Sequence, residues 1–432
     1  VRRAPALGFI FEENSMSSLF RGALSALLVG TSLIALVPVI AVADPAPSYP
    51  ELLRQANAAP RLKAAQAGIS QAEGLARQAG VRPNPTFSVE RENFSGNGPY
   101  RGADAAETTA SIEQTLELGG KRSARINAGR ASVETSRARS RQTEADFAFD
   151  LAEAYGAAEV ADLRVQLATD ALTLAEDDAR VANALVKAGK EADLRRLQAQ
   201  TAVESARAEL GEAQAARDAA FAKLTAMVDP PIPFTAIPNS LLAHADMAES
   251  IPMVDPLTTP AYLVALAERE EIARRVKVEQ TRGTPDVTVS LGVRQFRAED
   301  SQALVGGVSV PFPVFDRNKG NIAAVSAELT AAEQNLNMAR LDAQADIQSA
   351  SARLKASFAR VKSAQDSEHT AQEAYRLTRI GYESGKLQLS EVLITRRTLT
   401  EARAQALTAR QDRLNAEAEL AHLAGLMPFG DL

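Results

Sequence analysis

One order of elements occurs twice in this 432-residue chain, and that repetition limits the folds open to it. The Gly-Lys pairs Gly189-Lys190 and Gly385-Lys386 stand 196 positions apart, and Leu197 and Leu393 keep the same offset. Upstream, RPNPTFSVE and RGTPDVTVS match at Pro85 and Pro285, 200 positions apart. Each half therefore predicts two strand-like segments followed by a long helical hairpin. The expected division is a first repeat at 44–228, a Pro-rich crossing linker at 229–257, a second repeat at 258–427 and a tail at 428–432.

Within each half the hydrophobic period changes from two to seven. Residues 86–94 and 108–118 alternate, with Ile112, Leu116 and Leu118 on one face and Ser111, Glu113, Thr115 and Glu117 on the other. In the second copy Val287, Val289, Leu291 and Val293 alternate with Asp286, Thr288, Ser290 and Gly292. After a turn near Ala298–Ser301, Leu304, Val308, Val310 and Phe312 share a face, and Gly306-Gly307 suggests close packing or a bulge. Alternation over about ten residues suits an outer-membrane strand, apolar outward and polar inward; it also suits an ordinary half-buried hairpin.

The helices narrow the choice. From Gly120 to about Val186 there is no proline, and seven-residue stripes run through Leu151, Ala158, Val165, Leu172, Ala179 and Val186 and through Ile126, Val133, Ser140, Phe147 and Ala154. The second half gives Ile322, Leu329, Leu336, Ala343 and Ala350, then Leu393, Thr400, Leu407, Leu414 and Ala421. Such heptads place one face in a coiled-coil seam. A helix of about 65 residues would extend roughly 100 Å, more than a globular core needs. Alanine at many seam positions allows close approach of the backbones. An Arg396, Arg403, Arg410 stripe is expected on a solvated or intersubunit face.

The N-terminus indicates export. From Met16, a basic Arg21, an apolar run from Leu24 to Ile40 and the small-residue site Ala41-Val42-Ala43 form a secretory signal at 16–43, with 1–15 as upstream extension. A retained membrane anchor is the other possibility. The chain has no cysteine, which removes disulfides, thiolate metal sites, a cysteine nucleophile and a lipid on a mature N-terminal Cys. Forty-eight Lys and Arg against 54 Asp and Glu leave a net charge of −6, so nucleic acid is not an expected partner. Four strands are too few to close a membrane barrel, and open edges cannot be left in lipid. If the strands are membranous, several chains must pool them in a closed ring.

The paired strand–hairpin repeat resembles the TolC-like outer-membrane efflux duct family over about residues 50–427, and Gln114-Thr115-Leu116-Glu117-Leu118-Gly119-Gly120-Lys121-Arg122 looks like the first strand-to-helix junction of its CzcC-type, heavy-metal-export branch. The resemblance implies a mainly α fold with membrane β-strands, assembled as a homotrimer whose 12-stranded barrel continues into a periplasmic α-helical tunnel. It implies a passive conduit with no cofactor, seated in outer-membrane lipid and docked to a periplasmic adaptor (membrane fusion protein) and an inner-membrane RND pump. Heavy-metal cations are the implied cargo; a drug or type I secretion duct is the alternative. A periplasmic adaptor would carry one hairpin between split β-domains, and a coiled-coil protein of another class would leave the strands unexplained.

The family meets its adaptor at the hairpin turns, which here implicates Ala188, Gly189 and Lys190 at the first tip and Ser384, Gly385, Lys386 and Leu387 at the second. Glycine in the left-handed conformation would end each long helix, with Ser390 a candidate N-cap for the return. Turn chemistry alone would also account for these residues. Drug-exporting relatives narrow the mouth with two acids three residues apart; here Glu391 matches the first and Ile394 stands at the second, leaving a single acidic constriction. His244, His369 and His422 are scattered, and His244, Asp246, Met247 and Met253 are expected to be linker residues and not a metal site. No nucleophile–base arrangement or phosphate loop is present.

Overall fold

A computed structural model describes residues 44–246 and 251–429. The expectations for 1–15, for the signal at 16–43 and for Met247 lie outside the described residues. The elements run β1 (Asp44–Pro45), α1 (Tyr49–Gln55), α2 (Pro60–Ala79), β2 (Thr86–Glu92), β3 (Glu107–Leu116), α3 (Lys121–Lys187) and α4 (Asp193–Val228). They continue with β4 (Phe234–Ala236), α5 (Pro260–Arg282), β5 (Val287–Phe296), β6 (Ser301–Ser309), α6 (Lys319–Glu383) and α7 (Leu389–Leu423). Helix, two strands and long hairpin thus appear twice, as α2-β2-β3-α3-α4 and α5-β5-β6-α6-α7.

The boundaries follow from local chemistry. Pro60 and Pro260 occupy the first turn of α2 and α5, where a missing N–H costs nothing, and the Thr259 hydroxyl accepts from the Tyr262 amide at 3.4 Å. Both strand-to-helix junctions turn through left-handed residues, Gly119 and Gly120 in the first copy and Asn318 in the second. A Cβ on Gly119 would stand 2.6 Å from the Thr284 hydroxyl oxygen, so this turn excludes a side chain on two grounds.

The strands form one antiparallel sheet in the order β2-β3-β5-β6. Helix packing keeps that order: α2 lies against α3, α3 against α5 and α5 against α6, with α4 also on α3 and α7 between α3 and α6. The heptads are satisfied along this strip. Val133, Ser140, Phe147, Ala154, Leu151 and Ala158 are buried in α3, as are Ala343 and Ala350 in α6 and Leu407 and Leu414 in α7. At Gly156 a Cβ would meet the Leu414 methyl at 2.8 Å, so glycine sets the close approach of α3 and α7. The largest core surrounds this crossing, where Tyr49, Leu52, Phe147, Leu151, Tyr155, Phe221, Leu224 and Phe234 pack together.

Several expectations need correction. β2 stops at Glu92, where Asn93 takes positive φ, and β3 at Leu116, opposite Val287 where its partner β5 begins. β6 ends at Ser309, leaving Val310 and Phe312 beyond it, since Pro311 and Pro313 cannot donate to a ladder. The β5–β6 register is unbroken through Gly306 and Gly307, so there is no bulge. Close packing is found at Gly307, where a Cβ would stand 3.0 Å from the Ser290 hydroxyl oxygen, and more tightly at Gly292, where one would lie 2.5 Å from the Ala110 carbonyl oxygen.

Candidate functional site

The sheet has two chemically distinct faces. Register places Phe87, Ile112, Leu291 and Gly306 in one row, and Val89, Ala110, Val293 and Leu304 in the next, all on one face together with Val289 and Val308. Apart from the half-buried Ala110, the side chains of these rows are exposed, Phe87 at 68% and Leu304 at 81%. The opposite face is polar. Ser88 and Ser111 hydroxyls share a 2.8 Å hydrogen bond, Thr115 and Thr288 one of 3.2 Å, and Arg294 pairs with Glu107 at 3.2 Å and Glu92 at 3.3 Å. The two outer strands, β2 and β6, each have one edge without a partner among the described residues.

A charged clamp joins this sheet to the helices. Lys121 Nζ meets Asp286 at 2.8 Å, and the other half of that clamp is the Leu118 amide donating to Asp286. Arg125 binds the Glu117 carboxylate and donates to the Ala79 and Val81 carbonyls, while Arg122 donates to Gly80. The Gln114–Arg122 stretch therefore holds the ends of α2, β3, α3 and β5 at one level.

At the far end, both hairpins close with the same motif. Gly189 (φ 68°) donates to Val186 at 3.0 Å and Lys190 to Leu185 at 3.0 Å; Gly385 (φ 73°) donates to Tyr382 at 2.9 Å and Lys386 to Gly381 at 2.9 Å. These are Schellman closures, for which left-handed glycine is the natural residue. Ala188, Gly189, Lys190, Ser384, Gly385, Lys386 and Leu387 are all exposed on the two turns. Leu387 also folds back onto Gly381, where a Cβ would stand 2.5 Å from its methyl carbon. Ser390 is not the N-cap: α7 begins at Leu389, and Gln388 holds the capping position without a side-chain bond. Glu391 is exposed in the first turn of α7, and its carboxylate has no ion pair among the described residues.

Just inside the tips the two hairpins are latched together. Asp178 of α3 is buried, accepts from the Tyr375 hydroxyl at 3.3 Å and pairs with Arg396 of α7 at 3.3 Å. Tyr375, Tyr382, Leu389, Val392 and Leu399 pack around Ala182 and Ala199 beside it. The arginine stripe is thus consumed within the chain, Arg403 on Glu368 at 3.8 Å and Arg410 on Asp246 at 3.2 Å, and is no free face. Sequence reasoning missed Asp178; the seven-residue spacing of Tyr375 and Tyr382 was the available sign of a packed seam near the tip.

The crossing segment is a strap fastened to the helices. The buried Glu159 carboxylate accepts from the Ser240 hydroxyl and from the Leu241 and Leu242 amides at 2.9 and 3.1 Å. His244 pairs with Glu417 at 2.9 Å and His422 with Asp146 at 2.7 Å. Among the described residues no three His, Cys, Asp or Glu side chains converge on a common metal position. No described helix is long and apolar enough to cross a membrane.

Comparison with known proteins agrees with this architecture. The sequence matches the family described as outer membrane efflux protein over residues 52–228 and 259–426. It is 37% identical over 407 residues to the nickel-cobalt-cadmium resistance protein NccC of Alcaligenes xylosoxydans xylosoxydans, covering 94% of this chain and 92% of that one. It is 32% identical over 381 residues to the cobalt-zinc-cadmium resistance protein CzcC of Cupriavidus metallidurans, covering 87% and 88%. Among solved structures, a channel-forming CusC superposes with a TM-score of 0.76 at 17% identity, covering 88% of this chain and 92% of that one. Two family matches spanning both strand–hairpin units, and relatives aligned almost end to end, leave one conclusion: the chain belongs to the outer membrane efflux protein family.

Proposed function

We propose that this outer-membrane efflux channel is the exit duct for heavy-metal cations such as cobalt, zinc, cadmium or copper. Family membership makes it a passive channel protein of the outer membrane, projecting into the periplasm and working with an adaptor and a pump; it is not an enzyme. The observation that carries the duct is the sheet: an exposed apolar face, a polar face and two unpaired edges, continued by helices in the same order. Lipid covers the first face, water fills the space behind the second, and further copies complete the edges. Three copies supply twelve strands, and their hairpins form the tunnel.

The working division is a first repeat at 44–228, the strap at 229–257 and a second repeat at 258–427. Ala188–Lys190 and Ser384–Leu387 are the adaptor contacts, supported by their exposure and matching turn geometry. Glu391, repeated around the ring, is an acidic constriction that concentrates cations at the mouth. Cargo rests on the relatives, whose names tie them to nickel, cobalt, zinc and cadmium resistance.

Deletion of the gene in its own host, with growth measured across cobalt, zinc, cadmium, nickel, copper and silver, tests the cargo. The expected result is lowered tolerance to at least one metal, restored by the intact gene and less fully by Glu391→Ala. Unchanged metal tolerance with increased drug sensitivity would overturn the metal assignment and leave the duct.

A further inference from the structure

Beyond the sheet, an exposed apolar segment runs through Val310–Phe315, between β6 and α6. Phe312 is 86% exposed, Val314 66%, and Phe315 is fully exposed. The Val314 amide donates to the Phe312 carbonyl at 2.8 Å and the Arg317 guanidinium to the Pro313 carbonyl at 3.2 Å. We infer that this segment is a lipid anchor seated in the periplasmic leaflet, at the boundary between acyl chains and headgroups.

Three observations select lipid as the occupant. First, the segment continues the lipid-facing surface: Leu304, Gly306 and Val308 share a face of β6, and Val310, Phe312 and Val314 keep the same alternation. Second, its depth fits. The eight residue-to-residue steps from Leu304 to Phe312 cover about 26 Å at ~3.3 Å per step, hence about 20 Å of depth at a tilt of about 40°, close to the height of an outer-membrane apolar band. Third, Pro311 and Pro313 remove two amide donors, which suits backbone entering a poorly hydrated layer and prevents a neighbouring strand from pairing there. After Asp316 come Arg317 and Lys319, where headgroup phosphates would meet them.

The first repeat has no counterpart. Its junction is four residues, 117–120, against nine at 310–318, and Glu117 and Leu118 are held by Arg125 and Asp286. Each copy therefore carries one anchor, beside its β6 edge. The inference rests on the barrel reading, and its test separates the two.

The chain has no tryptophan, so Phe315→Trp introduces a single indole. The purified variant is placed in phosphatidylcholine vesicles whose acyl chains are brominated near the headgroup or deep in the bilayer. The expected result is a blue-shifted emission quenched most by the shallow bromines. Leu304→Trp should be quenched by bromines at some depth, and Leu377→Trp, on an exposed position of α6, by none. Quenching at 304 without quenching at 315 overturns the anchor and leaves the barrel. A blue-shifted but unquenched 315 indole assigns the segment to a second copy, which also overturns it. Absence of quenching at both 304 and 315 removes the barrel and the anchor with it.

Discussion

Asp178 occupies an unusual position for a carboxylate: 3% exposed, on the inner side of a helix, with one hydroxyl and one guanidinium within reach. Burial holds it above the ordinary carboxylate range, against the pull of Arg396, Tyr375 and Arg379, and burial also pushes the Tyr375 hydroxyl up to about 12. Removing Arg396 would leave that carboxylate buried without its partner. Arg396→Met should therefore destabilise the hairpin pair by about 3 kcal/mol, and adding Asp178→Asn should recover most of the loss. Urea unfolding of the four variants of this cycle gives the coupling. A carboxylate whose native pKa is raised binds more protons folded than unfolded, so its contribution is greatest below its unfolded value, near ~4, and is lost as pH rises through the native value. Wild-type stability should fall across that window, and Asp178→Asn should flatten the dependence. Failure of the second substitution to recover stability would mean that Arg396 acts by packing and not by charge.

At the scale of elements, the strap shows what local pattern can and cannot reveal. The strands were legible because alternation is a property of adjacent residues, and the long helices because a heptad repeats itself many times over. Both Schellman turns were legible because Gly189 and Gly385 follow uninterrupted helical pattern. The fastenings between elements were not. Glu159 binds Ser240, Asp178 binds Arg396 and Lys121 binds Asp286, and no sequence period connects positions so far apart. For the same reason the Arg396, Arg403, Arg410 stripe looked like an open face: its acids lie on other elements. Glu159 offers a direct test. Burial raises its pKa against three opposing hydrogen bonds. Glu159→Gln retains the single acceptor oxygen that the Leu241 and Leu242 amides share and should leave stability within about 1 kcal/mol, whereas Glu159→Ala orphans both amides and should cost about 2–3 kcal/mol. Proteolysis of the native protein should then cut near residues 237–246 in the alanine variant alone. Equal resistance of both variants would place the strap's stability in Phe234 and Leu241 packing instead.

For the molecule as a whole, the unsolved quantity is the edge. β2 and β6 carry free backbone donors and acceptors at the two sides of the sheet, and α2 with α4 on one side and α6 on the other leave the helical strip open in the same sense. An open edge in hydrocarbon costs several kcal/mol for every unsatisfied group, far more than a protein of ordinary stability can sustain. With an even number of strands per chain, β6 of one copy would run antiparallel to β2 of the next, so a ring of copies could close without changing the ladder type. Ser88 and Ser309 lie on the polar face of these two edge strands, and the chain supplies no cysteine of its own. A Ser88→Cys, Ser309→Cys chain in intact membranes, treated with a short dithiol-reactive linker, should give a covalent ladder that ends at the trimer. Either cysteine alone should give none. A ladder continuing past the trimer would indicate a larger ring or an open filament, and monomer alone would mean that something other than a second copy covers the edges.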